Sequence, residues 1–214
     1  MEHRKEFVID HDPFDVGCTI HKRKTIYIKP GFTVLVGCNG LGKTTLIRQL
    51  ESLLDDEGIK YISYNNLHDG GSNARQRAHD RGDFTFLATA AFSSEGENIM
   101  MNLIQFAGRL NAFENAHPDM KELWIFFDAI DSGFSIDNVQ EAKSFFDTII
   151  KHNADKGITA YIIIAANSYE MARESECFDV FNCKYVKFAN YDEYRNFIMN
   201  TRKEKDARKY KNKN

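Results

Sequence analysis

Thr33-Val34-Leu35-Val36-Gly37-Cys38-Asn39-Gly40-Leu41-Gly42-Lys43-Thr44-Thr45 is the stretch that decides the fold class. Its first four residues read as a buried strand. Behind it Leu46, Ile47, Leu50 and the Leu53-Leu54 pair recur at helical intervals. Between the two, Gly37 to Thr44 fits G-x-x-x-x-G-K-S/T in the strand-then-helix setting that gives this pattern its meaning. Glycines let the backbone wrap closely round phosphate oxygens, and a helix start offers unpaired N–H groups and a positive dipole end to the anion. In that arrangement Lys43 is expected to stand exposed to the β- and γ-phosphates, with the Thr44 hydroxyl taking one position on Mg²⁺. The implied ligand is ATP with Mg²⁺.

Upstream, Glu6-Phe7-Val8-Ile9, Thr25-Ile26-Tyr27-Ile28 and Thr33-Val34-Leu35-Val36 are short, partly alternating runs, the last two separated by Pro30-Gly31. They predict an antiparallel β-meander ending in a buried strand. Downstream, Gly58 ends the first helix and Tyr61-Ile62-Ser63-Tyr64 reads as the next strand. Residues 65–82 are polar, with Gly70-Gly71 and Arg75, Arg77 and Arg81. A helical stretch is expected at 84–92. A longer helix follows from about Ser94, with Ile99, Leu103, Phe106, Ala107 and Leu110 along one side. The unbroken apolar runs 123–127 and 160–164 are expected to be central strands buried on both faces. Between them Ser135 caps a helix carrying Val139, Ala142 and Phe146. Residues 180–188 predict an edge hairpin turning at Asn182, and a last amphipathic helix starts near Tyr191. Strands alternating with helices imply an α/β fold with a mainly parallel central sheet.

The 214 residues suit one α/β domain, read as 1–201 with a short helical lid at about 65–115 and a basic C-terminal tail at 202–214. That tail holds seven basic and two acidic side chains, so the body is more acidic than the net charge of −3 suggests. It either holds nucleic acid through phosphate contacts or is a solvated helix end. No apolar run is long enough to span a bilayer, and none stands behind the first residues as in a secretory leader. Cys18, Cys38, Cys177 and Cys183 have no metal or redox spacing. Free thiols in a reducing cytoplasm are the expectation.

The run 123–127 ends in Asp128, where a carboxylate at the C-terminal edge of a central strand faces the phosphate loop and holds Mg²⁺ directly or through water. Together these residues resemble the ATP-binding heads of the ABC and SMC-like group. They look most like small stand-alone bacterial ATPases of AAA/ABC type, over about residues 24–190. The resemblance implies a P-loop NTPase fold of ABC-ATPase type. It gives the nucleotide to Gly37, Cys38, Asn39, Gly40, Leu41, Gly42, Lys43, Thr44 and Thr45, with Asn39 the asparagine such heads favour. Ser93-Ser94-Glu95-Gly96-Glu97 looks like a degenerate signature loop, whose Ser94 and Gly96 would touch the γ-phosphate of a partner subunit in an ATP-dependent homodimer. Asp128-Ala129-Ile130-Asp131-Ser132-Gly133 looks like the strand-end motif running into a dimer-contact loop.

Three positions depart from that pattern. Ala129 stands where such ATPases carry the water-polarising glutamate, Asn167 where they carry a switch histidine, and Ser135 where the contact loop has an aspartate. Loss of a positioned base costs about 10²–10⁴ in rate, so the expected enzyme is a weak ATPase with binding intact. Asp131 either takes over the water or caps a turn; Glu95 or Glu97 of a facing subunit are the other acids in question. Asn65, Asn66 and Asp69 follow a strand roughly where such heads place a glutamine. Phe14 or Tyr27 either stacks on adenine or is an ordinary core or edge aromatic. Only 50 residues separate Lys43 from Ser94, which leaves no room for a coiled-coil arm. Two other readings compete: a P-loop kinase with Arg75, Arg77 and Arg81 as a cationic lid, and a non-catalytic module whose basic tail contacts nucleic acid or a protein partner.

Overall fold

The computed structural model describes residues 4–9, 21–65, 95–131 and 134–211, with side chains throughout except at 95–102 and 208–211. The expected helix at 84–92, the arginines of the 65–82 segment, Phe14, Cys18, Ser94, Ser132 and Gly133 lie outside the described residues.

Strand β3 (Gly31–Val36) holds the middle of the main sheet because Val34, Leu35 and Val36 bury both of their faces. It pairs in parallel with β6 (Thr159–Ala165) on one side and with β7 (Glu176–Asp179) on the other. β5 (Glu122–Asp128) lies beyond β6, and β4 (Tyr61–Asn65) lies beyond β5. The strand order is β4-β5-β6-β3-β7-β8, and only β8 (Lys184–Val186) runs antiparallel to its neighbour.

Strand pleating explains the unbroken apolar runs. Leu123, Ile125 and Phe127 point to one face of the sheet, while Trp124 and Phe126 point to the other. The first face packs on α2 (Glu95–Ala116) and α3 (Ile136–Asp155), through Leu103, Phe106 and Leu110 and through Val139, Ala142 and Phe146. The second packs on α1 (Lys43–Asp56), through Leu46, Leu50 and Leu54. Ser135 stands at the N-cap of α3, and its backbone N–H donates to Asn138 Oδ1 at 3.4 Å.

Two expectations need correction. The first 36 residues do not form a three-stranded meander: β1 (Lys5–Val8) and β2 (Thr25–Ile28) make a separate antiparallel pair, and β3 leaves it. β1 and β2 alternate, burying Phe7, Ile26 and Ile28 while exposing Glu6 and Tyr27, as a one-sided ribbon must. β3 is apolar on both faces, so it belongs at the sheet centre, and Gly31 at φ 92° turns the chain there. The hairpin starts earlier than 180: β7 ends at Asp179, whose Oδ1 accepts the N–H groups of Phe181 and Asn182 at 3.0 and 3.1 Å and folds the turn. The last helix starts where it is expected. α5 (Tyr191–Lys211) continues through position 201 without a break, so the basic segment is helical to 211. One element was not expected at all, the single turn α4 (Tyr169–Ala172), where Ser168 Oγ accepts the Met171 N–H at 3.3 Å.

Candidate functional site

The phosphate loop joins β3 to α1. Gly42 is the N-cap of α1 at φ 98°, and Gly37 at φ 151° has Leu41 Cδ2 only 2.4 Å from where a Cβ would stand. A side chain at Gly42 would hold a strained backbone, and one at Gly37 would also force Leu41 to shift. The turn closes with Leu41 N–H donating to Cys38 O at 3.2 Å.

Lys43 is only 9% exposed, and what it exposes faces the cleft beside the loop. Its Nζ donates to Gly37 O at 2.7 Å and to Cys38 O at 3.4 Å, so the loop carbonyls carry the ammonium. Burial pushes its pKa down, an effect that neighbouring Cys38, Asp131 and Asp128 oppose. The lysine still lines a cleft of about 470 Å³, with Asn39, Gly40 and Thr44 on the loop side and Asp128, Ala129 and Asn167 opposite.

Thr44 and Asp128, eighty-four residues apart, meet at the floor of this cleft: Thr44 Oγ1 donates to Asp128 Oδ1 at 3.1 Å. The other carboxylate oxygen accepts Asn65 Nδ2 at 3.3 Å, so β4 supplies a second partner. One hydroxyl and one carboxylate beside a phosphate loop form the hard-oxygen donor set that suits Mg²⁺, whose remaining positions go to phosphate and water. Among the described residues no group of three or more His, Cys, Asp and Glu side chains is placed to hold a metal unaided. A pocket of about 50 Å³ adjoins the pair, lined by Arg48, Glu51 and Ser63 among others. Glu51 accepts from the Ser63 hydroxyl there, and burial pushes its carboxyl pKa up.

The wall opposite the loop is built on backbone. Ala129 sits at φ 56°, a conformation side chains rarely adopt, with its N–H donating to Ala165 O at 3.2 Å. Asp131 is 8% exposed, and its Oδ2 accepts the N–H groups of Asn167 at 2.8 Å and Ser168 at 2.6 Å. Asn167 O in turn accepts the Tyr194 hydroxyl at 2.8 Å.

The fold thus brings together Gly37 to Thr45, Asp128, Ala129 and Asn167, with Asp131 beneath the wall that Asn167 forms. Gly96 lies in the first turn of α2, and Tyr27 is exposed on β2. Sequence reasoning singled out neither Glu51 nor the contacts of α5 with the loop. Thr201 Oγ1 accepts the Cys38 N–H at 3.2 Å, and Lys205 Nζ donates to Asn39 O at 2.7 Å.

A parallel sheet with a glycine-rich loop before α1, a lysine at the helix start and a threonine–aspartate pair beneath defines a P-loop nucleotide-binding protein. The family model described as an AAA domain matches residues 28–170. That is more than half of the chain, which belongs to this AAA domain family. Such domains are P-loop ATPases and generally use ATP with Mg²⁺. None of the curated proteins matches the chain. Among the described residues no helix is long and apolar enough to cross a membrane.

Proposed function

We propose that this protein is an ATP-Mg²⁺-dependent switch of the ABC/SMC-like kind, which pairs head to tail with a second copy and hydrolyses ATP slowly. The observation that carries this reading is the cleft itself: a complete phosphate loop over the Thr44–Asp128 pair, with Ala129 where a base would be needed.

Gly37 to Thr45 would wrap the phosphates, and Lys43 would exchange its loop carbonyls for β- and γ-phosphate oxygens. Thr44 and Asp128 would hold Mg²⁺, which supplies charge neutralisation at the phosphates. Asn65 keeps the Asp128 carboxylate turned toward Thr44. No proton acceptor is offered by Ala129. Of the two roles open to Asp131, the geometry favours positioning: its Oδ2 is already shared between two backbone amides, and through them it holds Asn167 against the cleft. Slow turnover follows from that arrangement.

Pairing rests on a physical need. One phosphate loop covers one side of a triphosphate, and a second helix start with Ser94 and Gly96 would satisfy the exposed γ-phosphate oxygens from a two-fold-related copy. A kinase reading draws on arginines outside the described residues, and no described contact favours it. Cys38, Cys177 and Cys183 are free and buried, which supports the reducing cytoplasm.

Sedimentation velocity with ATP-Mg²⁺, with ADP and without nucleotide tests the switch. ATP should shift the protein to a dimer, ADP less so, and Ser94→Arg should block pairing while leaving ATP affinity nearly unchanged. A wild-type protein that stays monomeric at saturating ATP-Mg²⁺, or dimerises equally without it, overturns the proposal.

A further inference from the structure

We infer that Thr201 and Lys205 of α5 are positioning residues for nucleotide: they hold the Cys38–Gly40 half of the phosphate loop, so nucleotide binding and docking of the C-terminal helix are linked. The inference rests on the phosphate-loop reading above, and it concerns an element wholly outside the 28–170 span that defines the family.

Tyr194, Ile198, Thr201 and Lys205 follow one another at intervals of four, three and four, which places them on one face of a helix. Each has a job on that face. Tyr194, 5% exposed, donates to Asn167 O on one wall of the cleft. Ile198 packs against the apolar clusters on both sides of the sheet. Thr201, 3% exposed, accepts the Cys38 N–H and donates its own hydrogen to Ile198 O at 2.8 Å. Lys205 reaches Asn39 O, and its Nζ lies 3.7 Å from where a Cβ on Gly40 would stand. α5 therefore bridges the two loops that form opposite walls of the nucleotide cleft.

The consequence for the loop follows from peptide geometry. In a planar trans peptide the C=O and the N–H point in opposite directions. An ammonium that pins Asn39 O therefore turns the Gly40 N–H away from Lys205, at a residue that lines the cleft. Gly40 at φ 71° allows that orientation without a side-chain penalty. Thr201 meanwhile occupies the Cys38 N–H, which leaves the amides further along the loop to meet phosphate. Lys205 also adds positive charge behind the loop, where it favours an anion in front. Linkage makes the effect reciprocal: whatever helps the loop hold nucleotide makes nucleotide hold the helix.

The test measures ATP-Mg²⁺ affinity of the full chain and its Lys205 variants, together with amide hydrogen exchange of the wild type. Lys205→Met should weaken ATP-Mg²⁺ about five- to tenfold, the lower end of an ordinary coupling between two sites, and Lys205→Arg should restore it. ATP-Mg²⁺ should slow exchange across residues 198–207 in the wild type. Affinity of a folded Lys205→Met protein within about twofold of wild type would overturn the inference, since a coupling between helix and nucleotide of ordinary size is about fivefold or more. Unchanged exchange across 198–207 at saturating ATP-Mg²⁺ would overturn it as well, and needs no variant to fold. A wild type that does not bind ATP-Mg²⁺ at all contradicts the proposed function instead, so the two failures are distinguishable.

Discussion

Asp131→Ala removes one carboxylate and, with it, the acceptor for two backbone amides. Asp131 is 8% exposed, and its Oδ2 takes both the Asn167 and the Ser168 N–H groups, at 2.8 and 2.6 Å. A hydrogen bond to a charged group contributes about 1.5–3 kcal/mol net. Here two donors share one oxygen, and both bonds are only partly buried, so water can replace part of what is lost. The expected loss is therefore about 2–4 kcal/mol, below the sum of two independent bonds. At about 2–4 °C per kcal/mol for a chain of this size, that is a fall of roughly 5–15 °C in melting temperature. Asp131→Asn keeps an acceptor oxygen and loses the charge, so it should fall by less than half as much. The assay is urea and thermal unfolding of both variants beside wild type, with single-turnover ATP hydrolysis on the same samples. Asp131→Ala within about 0.5 kcal/mol of wild type, the range of an ordinary surface change, would refute the positioning role. An Asp131→Asn protein of normal stability with abolished turnover would return Asp131 to water activation.

Turnover of the wild type should lie well below about 10 s⁻¹, the median for enzymes, because Ala129 cannot accept a proton. Ala129→Glu should raise it in steady-state assays despite the left-handed backbone at φ 56°, and no rise would mean that slow chemistry has another cause. Stability should fall above about pH 9. Burial pushes the Cys177 thiol from its usual 9.0 up to about 12, and burial with the Asp55 hydrogen bond pushes the Tyr61 hydroxyl from 10.0 up to about 12. A raised folded-state pKa contributes stability that is complete below the unfolded value and is lost as pH rises through the folded one. Lys43, shifted down by burial, acts in the opposite sense, but Tyr194, also pushed up by burial, adds to the fall. Urea midpoints at pH 7, 9 and 11 check the sign, and a midpoint that rises from pH 9 to 11 contradicts it.

Local chemistry made part of this molecule legible. The strand, loop and helix around Gly37 to Thr44 are neighbours in sequence, so the spacing of glycines, Lys43 and the apolar stripe was enough to read them. Asp128 was readable because it follows the apolar run directly and closes the strand that the run forms. Strand order was not readable: β3 lies between β6 and β7, whose residues come more than a hundred positions later. The meander failed for the same reason, since burial of β3 on both faces depends on those later strands. The role of Asp131 stayed open between water activation and a turn cap because its partners are backbone amides of a loop thirty-six residues away, and backbone leaves no mark in a sequence. The basic segment looked like a tail because charge dominates its composition. Its contact with the loop is the Lys205 ammonium on Asn39 O, one turn after the Thr201 hydroxyl meets the Cys38 N–H.

The central claim is that the loop from Gly37 to Thr44 binds ATP-Mg²⁺, and calorimetric titration of wild type and Lys43→Ala tests it most directly. Lys43 donates to two carbonyls of its own loop, so its removal should leave the sheet and helices in place, as circular dichroism would verify. The account predicts saturable binding of ATP-Mg²⁺ to the wild type and none measurable in the folded variant. Equal affinity in the two proteins would contradict it.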